Sequence, residues 1–327
     1  MTGSWKAEHI PQLAGRRFLI TGANSGIGYA AALKLARKDA ELILACRDLE
    51  KGEAALAHLR EEAPSVRAEL VALDLSSVAS IRAFAAQEIA RRRPLHVLIN
   101  NAGVMAVPAR TLTSDGFEMQ FGTNVLGHFA LTGLLWPALE QAARESSDPP
   151  RVVTIASIAH KRTHLQLEDL QSARSYSPLR AYQQSKLANL MLALEMSRRL
   201  HRKNSPILSI AAHPGVASTA LFRAHNDSNL ARTLRKLAGQ AISIFLNDEA
   251  EGALPTLYAA TSPEAENGGY YGPQQLNEMK GEIVGPAKIA DHARNESLAS
   301  ALWSRCEELT GVRYLDEDRD TLTEKIA

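Results

Sequence analysis

Short apolar runs punctuate the chain at intervals: "RRFLIT" at 16–21, "AELILACR" at 40–47, "AELVALDL" at 68–75, "LHVLINNA" at 95–102, "RVVTIAS" at 151–157 and "ILSIAAHPG" at 207–215. Longer segments of helical periodicity separate them, so strand and helix alternate. The runs are almost continuously apolar instead of alternating, which is the pattern of strands buried on both faces. A parallel sheet covered by helices on each side meets that requirement, and an α/β doubly wound sheet is predicted. No internal repeat or low-complexity tract interrupts the order. The stretch "ESSDPP" at 145–150 reads as a Pro-rich lead into the next strand.

One segment breaks the pattern. From Thr219 to Asn247, "TALFRAHNDSNLARTLRKLAGQAISIFLN" carries Arg223, Arg232, Arg235 and Lys236 and then turns strongly apolar. An amphipathic insert after a late strand is well placed to cover the ligand crevice of an open sheet. A substrate lid over about 216–250 is the favoured reading; an oligomer or membrane-surface contact and plain packing are the alternatives.

Composition narrows the function classes. The 327 residues are 45% hydrophobic and 22% charged, an ordinary globular balance that suits one large α/β domain, 1–327, better than two small ones. With 37 basic against 36 acidic side chains there is no net field to attract nucleic acid, and a polyanionic partner is not expected. Two cysteines, Cys46 and Cys306, are too few for a disulfide scaffold and point to a reducing compartment, with the cytoplasm as default. No signal-peptide core and no run of about 18 apolar residues is found, so no transmembrane segment is expected. The ten histidines are scattered and form no metal-binding spacing. His160 and His164, four apart in "AHKRTH", read as a polar loop after a strand, and no metal is expected.

The first strand runs into "TGANSGIGYAAALKLARK". Gly22, Gly26 and Gly28 keep this turn free of Cβ atoms, so backbone N–H groups and a helix N-terminus can approach a pyrophosphate. Its place between the first strand and first helix of a parallel sheet is where dinucleotides bind. The spacing is G-x3-G-x-G, not G-x-G-x-x-G. The second strand ends at Arg47, at the position that meets the adenosine ribose. A carboxylate there would hydrogen-bond a free 2′-hydroxyl; an arginine makes charge-assisted, often bidentate, bonds to a 2′-phosphate. NADP(H) is therefore favoured, with NAD(H) as the alternative. Asp48 looks like a competing acid, but it precedes "LEKGEAALAHLREEA" and suits a helix N-cap, with Lys51 adding positive charge in the first turn.

Further on, "AYQQSKLANLMLALEMSRRL" places Tyr182 and Lys186 four apart at the start of a long amphipathic helix, on one face. An ammonium beside a phenol stabilises the phenolate and brings a pKa near 10 toward the working range, which makes Tyr182 a candidate proton donor and acceptor. Ser157 stands at the C-terminal end of "RVVTIAS", the sheet edge where a crevice opens.

Taken together, these residues closely resemble the short-chain dehydrogenase/reductase family. "TGANSGIG" resembles its glycine loop, with Gly22, Asn24, Ser25, Gly26, Ile27 and Gly28 as cofactor contacts. Asp74 and Leu75 in "DL" resemble its adenine contact, and Asn101, Ala102 and Gly103 of "NNAG" the turn beneath the cofactor. Asn124, Ser157, Tyr182 and Lys186 fall where the family's catalytic tetrad stands. Pro214, Gly215, Val216 and Thr219 resemble its nicotinamide contact. A narrower resemblance lies in "IPQLAGR", "ACRDLEKGE", "ASIAH" and "LWSRCEELTGV", which are similar to the branch of retinol dehydrogenases and their bacterial relatives, from about residue 5 to residue 312. One departure is Ala156, where many relatives have a second serine.

The resemblance implies a Rossmann fold with a mostly or wholly parallel seven-stranded sheet, in which about 16–160 mainly binds the cofactor. It implies reversible hydride transfer between nicotinamide and the carbonyl or alcohol carbon of a small, lipophilic substrate. Ser157 would hold the carbonyl oxygen, Tyr182 exchange the proton, Lys186 bind the nicotinamide ribose and lower the phenol's pKa, and Asn124 fix a water linking Lys186 to solvent. A homodimer on the helices around 117–143 and 182–201 is compatible with it. Reduction of an activated C=C bond, and a nucleotide-binding sensor without turnover, are the rival functions on the same scaffold.

Overall fold

The computed structural model describes residues 5–216 and 247–316. Its centre is one eight-stranded sheet in the order β3-β2-β1-β4-β5-β6-β7-β8. The strands are β1 (Arg17–Thr21), β2 (Glu41–Cys46), β3 (Arg67–Ala72), β4 (Val97–Asn100), β5 (Arg151–Ile155), β6 (Leu208–Ala212), β7 (Tyr270–Gln275) and β8 (Lys280–Pro286). Neighbours from β3 through β7 pair in parallel, and only β7 and β8 pair antiparallel. The parallel α/β sheet is as the apolar runs predict. The eighth strand is an addition, because "KGEIVGP" is mostly exposed or half-buried at a sheet edge and no apolar run announces it. Pro273 and Pro286 sit in this edge pair, where a missing N–H is tolerated.

The helices are α1 (Gly26–Ala36), α2 (Leu49–Glu62), α3 (Val78–Ala90), α4 (Met119–Phe121), α5 (Gly127–Leu134), α6 (Trp136–Glu145), α7 (Pro178–Arg202), α8 (Glu249–Gly252), α9 (Leu254–Thr261) and α10 (Glu296–Thr310). They form two layers, and the period-2 geometry of the strands sorts side chains between them. In β1, Phe18 and Ile20 face the layer of α1, α2 and α9, whereas Leu19 faces the layer of α3, α5, α6, α7 and α10.

Helix α7 is amphipathic only toward its ends. From Gln183 to Met196 every residue is buried, because the sheet covers one side and α10 covers another. Trp303 of α10 meets Phe129 of α5 edge-on at 4.9 Å, and Tyr314 lies 4.8 Å from Trp303 and 5.0 Å from Phe129. Gly133 makes room there, since a Cβ would stand 2.5 Å from the Tyr314 ring. Part of the α5 and α7 surface named above for a homodimer is thus covered by the chain's own last helix.

The order of strands reverses between β1 and β4, so their connecting helices leave to opposite sides and a crevice opens at the carboxyl ends. Every sequence-derived site residue up to Val216 lies on or beyond those ends.

Candidate active site

The loop after β1 is shaped from two sides. Gly22 has φ +67 and Gly26 φ +61, the left-handed region that glycine enters without strain. A Cβ on Gly28 would stand 2.5 Å from the Gly22 carbonyl and 2.5 Å from the Asn101 amide, so the first turn of α1 can close on the loop only with glycine there. No acidic residue occupies that first turn, which leaves the helix N-terminus electropositive. Ser25 is the N-cap position of α1, with Asn24 before it and Ile27 in the first helical turn. A pyrophosphate fits this cradle.

The turn after β4 is bound to the loop. The Asn101 side chain donates to the Thr21 carbonyl at 2.8 Å, and the backbone N–H groups of Asn101 and Ala102 both donate to the Thr21 hydroxyl at 2.9 Å. That hydroxyl also lies 2.9 Å from Nε2 of His128, whose Nδ1 is 3.0 Å from the Asn124 carbonyl. A carbonyl only accepts, so Nδ1 carries the proton and the threonine donates to Nε2. Burial lowers the His128 pKa to about 4 and keeps the ring in this neutral form. Thr21 and His128 therefore join Asn124 to the turn of Asn101, Ala102 and Gly103.

Asn124 is fully buried in a single π-turn, Gly122–Leu126, that leads into α5. Such turns push one residue out of helical register and are common at functional sites. Its side chain accepts from the Val104 N–H at 2.8 Å, donates to the Val104 carbonyl at 2.9 Å and donates to the Ser185 hydroxyl at 3.0 Å. Ser185 in turn donates to the Tyr182 carbonyl at 2.8 Å. Both amide hydrogens of Asn124 are thus used within the protein, and the residue braces α7 against the turn after β4. A Cβ on Gly103 would lie 3.3 Å from Asn124 Oδ1 and 3.7 Å from Lys186 Nζ, so this glycine separates the two groups.

Tyr182 and Lys186 lie one turn apart in α7, with the ammonium 5.9 Å from the ring centroid. Lys186 donates to the Ile155 carbonyl at 2.8 Å, and burial lowers its pKa to about 8. Burial pushes the Tyr182 phenol above its ordinary value, while a hydrogen bond from Ser157 acts the other way. Burial is the larger influence on the phenol here and Ser157 the opposing one; the lowering expected of Lys186 belongs to the proposed mechanism. Ser157 sits just past β5 with extended backbone and caps the 3-10 turn Ile158–Arg162, its hydroxyl accepting from Ala159 N–H at 3.2 Å. Asn124, Ser157, Tyr182 and Lys186 thus come together at one sheet edge.

The His160 and His164 reading needs correction. His160 lies in the 3-10 turn and is fully buried, because its ring has partners on both edges that a solvated loop would not supply.

At the ribose end, Arg47 follows β2 directly and is exposed. The preceding Cys46 accepts hydrogen bonds at its sulfur from the backbone of Ala23 and Asn24, which sets Arg47 beside the glycine loop, and burial raises this thiol to about 11. Asp48 is the N-cap of α2, accepting from Lys51 N–H at 3.1 Å and from its ammonium at 2.5 Å. Lys51 is thus turned onto Asp48 instead of outward. Asp74 accepts from the backbone and hydroxyl of Ser76 at 2.9 Å and 2.6 Å. Leu75 is buried, its carbonyl against Gly127, where a Cβ would approach to 2.3 Å.

Beyond β6, Gly215 has φ +74, and Val216 N–H donates to the Met279 carbonyl at 2.8 Å. Asn247 donates to the Pro214 carbonyl at 2.7 Å, and its backbone N–H to the Val216 carbonyl at 3.0 Å. Thr219 and the greater part of the 216–250 segment expected as a lid lie outside the described residues.

Residues 16–230 match the family model described as short chain dehydrogenase. Among curated proteins, the polyprenol dehydrogenase of Mus musculus is 39% identical over 97% of this chain and 90% of its own length. The retinol dehydrogenase 12 of Homo sapiens is 39% identical over 93% of this chain and 89% of its own. Among solved structures, an uncharacterized protein from Mycobacterium paratuberculosis is 40% identical with a TM-score of 0.76, covering 95% of this chain and 99% of that one. The RhlG/NADP active-site complex of Pseudomonas aeruginosa is 25% identical with a TM-score of 0.59, over 79% of this chain and 94% of that one.

Proposed function

The chain belongs to the short-chain dehydrogenase family, in its retinol-dehydrogenase-like branch, and is an oxidoreductase of alcohols and carbonyls; on that premise we propose that it reduces lipophilic aldehydes or ketones, reversibly, with NADP(H). The observation that carries this is the convergence of Ser157, Tyr182 and Lys186 on one sheet edge beside the glycine loop. When bound, the nicotinamide supplies the hydride. Ser157 hydrogen-bonds the substrate oxygen, and Tyr182, protonated at neutral pH because burial raises its pKa, donates a proton to that oxygen. Lys186, anchored on the Ile155 carbonyl, holds positive charge next to the phenol and would bind the nicotinamide ribose. Asn124 keeps α7 in register with the turn after β4 and presents one oxygen toward Lys186, where a water can link to solvent. Pro214, Gly215 and Val216 would contact the nicotinamide in this reading, as would Thr219, which lies outside the described residues.

NADP(H) is preferred over NAD(H) because Arg47 stands exposed beside the loop while its neighbouring acid is spent on capping α2. The relatives' printed names, a polyprenol and several retinol dehydrogenases, support a lipophilic alcohol or aldehyde as substrate. No helix among the described residues is long and apolar enough to cross a membrane. Both cysteines are free, which supports a reducing setting, and a cytoplasmic location is part of the proposal. One domain over 1–327 and a homodimer belong to the same proposal, the latter read by whether the particle mass in solution is once or twice that of the chain.

The test is incubation with NADPH and a panel of lipophilic aldehydes, ketones and enones, followed at the cofactor's absorbance with product analysis. An allylic alcohol from an enone supports the proposal, whereas a saturated ketone would make the protein a C=C reductase. Binding of NADPH without turnover of any member would make it a sensor. Tyr182→Phe is expected to bind NADPH and lose turnover about a thousandfold.

A further inference from the structure

Past β5 the chain loses the support of the sheet. The last ladder bond runs from Ala156 N–H to the Ala212 carbonyl at 2.9 Å, one residue before Ser157. The Ser157 carbonyl is held from within the 3-10 turn, by the backbone N–H of His160 at 3.1 Å and, at a shorter distance, by the His160 ring. His160 is fully buried, and its Nδ1 is 2.7 Å from the Ser157 carbonyl. That oxygen only accepts, so Nδ1 carries the proton and donates. Nε2 is then free to accept, and it takes the Ala290 N–H at 3.3 Å. A neutral imidazole offers a donor on one edge and an acceptor on the other without burying a charge, which explains the residue type.

The same turn has two more ties to the segment after β7. His292 Nε2 donates to the His160 carbonyl at 3.1 Å, its ring 4.5 Å from that of His164. Lys161 pairs with Glu278 at 2.6 Å, and the other Glu278 oxygen accepts the Lys288 N–H at 2.8 Å. Of these ties, the His160 bond is the one that ends on Ser157.

We propose that His160 is a positioning residue for Ser157, fixing through its Nδ1–H the peptide that carries the hydroxyl and so coupling the segment around Ala290 and His292 to the oxygen-holding group. This rests on the reading of Ser157 as that group. A shift of about 1 Å in a group that must meet the substrate oxygen costs about a hundredfold in rate. Loss of the His160 tie is accordingly read in kcat and not in cofactor affinity.

The experiment uses the full chain with NADPH and the best aldehyde or ketone of the panel. Asparagine places an N–H where histidine has Nδ1; glutamine places it where histidine has Nε2. His160→Asn is expected to keep kcat within about threefold, and His160→Gln to lower it about 10- to 100-fold, with NADPH affinity by nucleotide fluorescence unchanged. In a Ser157→Ala background His160→Gln is expected to cost nothing further, because the group it acts through is gone. The inference is overturned if His160→Gln keeps the parental kcat, or if it loses the same factor in the Ser157→Ala background. A Ser157→Ala protein with parental kcat would overturn the reading of the site itself, a result obtained without touching His160. Should His160→Gln not fold, His292→Leu removes only the outer, half-buried tie. It is expected to lower kcat with the same dependence on Ser157, and an effect equal in both backgrounds overturns the inference equally.

Discussion

Replacing Lys186 by methionine is expected to stabilise the protein while inactivating it. The side chain is 5% exposed, and burial takes its pKa from 10.5 to about 8. Each pKa unit corresponds to about 1.4 kcal/mol, so holding the charge inside the fold costs about 3 kcal/mol at neutral pH. The hydrogen bond to the Ile155 carbonyl offsets about 1 kcal/mol of this, which leaves about 2 kcal/mol. Methionine fills a similar volume without a charge, and its flexible stem adapts to the space. Below pH 8 both the folded and the unfolded chain keep the lysine proton, and the cost is constant. Between pH 8 and 10.5 the folded chain releases it first, the unfolded chain binds more protons, and the parent gains stability as pH rises. The variant lacks that slope. Urea unfolding at pH 7, 8, 9 and 10 should therefore show the variant ahead by about 2 kcal/mol at pH 7 and level with the parent near pH 10. A variant less stable than the parent at pH 7, or a gap that does not change with pH, would refute the desolvation argument.

Because burial raises the Tyr182 phenol, carbonyl reduction should hold its rate through neutral pH and fall only as pH rises through the phenol's pKa. Alcohol oxidation, which needs the phenolate, should climb over the same alkaline range, and opposite slopes in the two pH–rate profiles are the check. Arg47→Asp should move the NADP to NAD affinity ratio toward NAD by about tenfold or more, measured by fluorescence titration, since one charge-assisted contact is lost and a repulsion gained. Gly28→Ala puts a Cβ 2.5 Å from both the Gly22 carbonyl and the Asn101 amide. It should weaken nucleotide binding and lower stability by about 1–3 kcal/mol, read in the same titration and by denaturant unfolding. An alanine variant with parental affinity would show that the loop does not depend on this close approach.

The parts of this fold legible in the sequence are those in which one short stretch carries its own signal. Strands β1, β2, β4, β5 and β6 are buried on both faces and so appear as apolar runs. Strand β8 lies at the edge and strand β7, "YYGPQQ", beside it, and their glycines and prolines mask them. Three of the proposed catalytic residues were legible for a similar reason: Tyr182 and Lys186 share a turn, and Ser157 ends a strand, whereas Asn124 entered only through the family resemblance. The partners that hold these residues were not, because each is a contact between distant segments. Thr21, His128, Ser185, Cys46, Asn247 and His160 bond groups far away or in other elements. A signal for some of them was present. His128 stands alone in "GHFALTGLLW", and a polar side chain within an apolar helix must find a buried partner. The burial of His160 was not legible, because the turn reads as polar and it is the return of the chain at Ala290 that covers the ring.

The two layers on either side of the sheet are completed at different points along the chain. Among the described residues, the layer of α1, α2 and α9 draws on nothing later than Val284, whereas the opposite layer includes Leu302, Trp303, Cys306, Val312, Tyr314 and Leu315. During synthesis from the N-terminus, the first layer can close while Phe129, Trp136 and the middle of α7 still face water. A chain lacking the residues after about 285 would have one layer closed and an open aromatic seam on the other, the kind of surface that recruits chaperones or drives aggregation. Ribosome stalling or premature termination between 285 and 300 would release that species, so expression yield should depend on the last helix far more than its distance from the catalytic groups suggests.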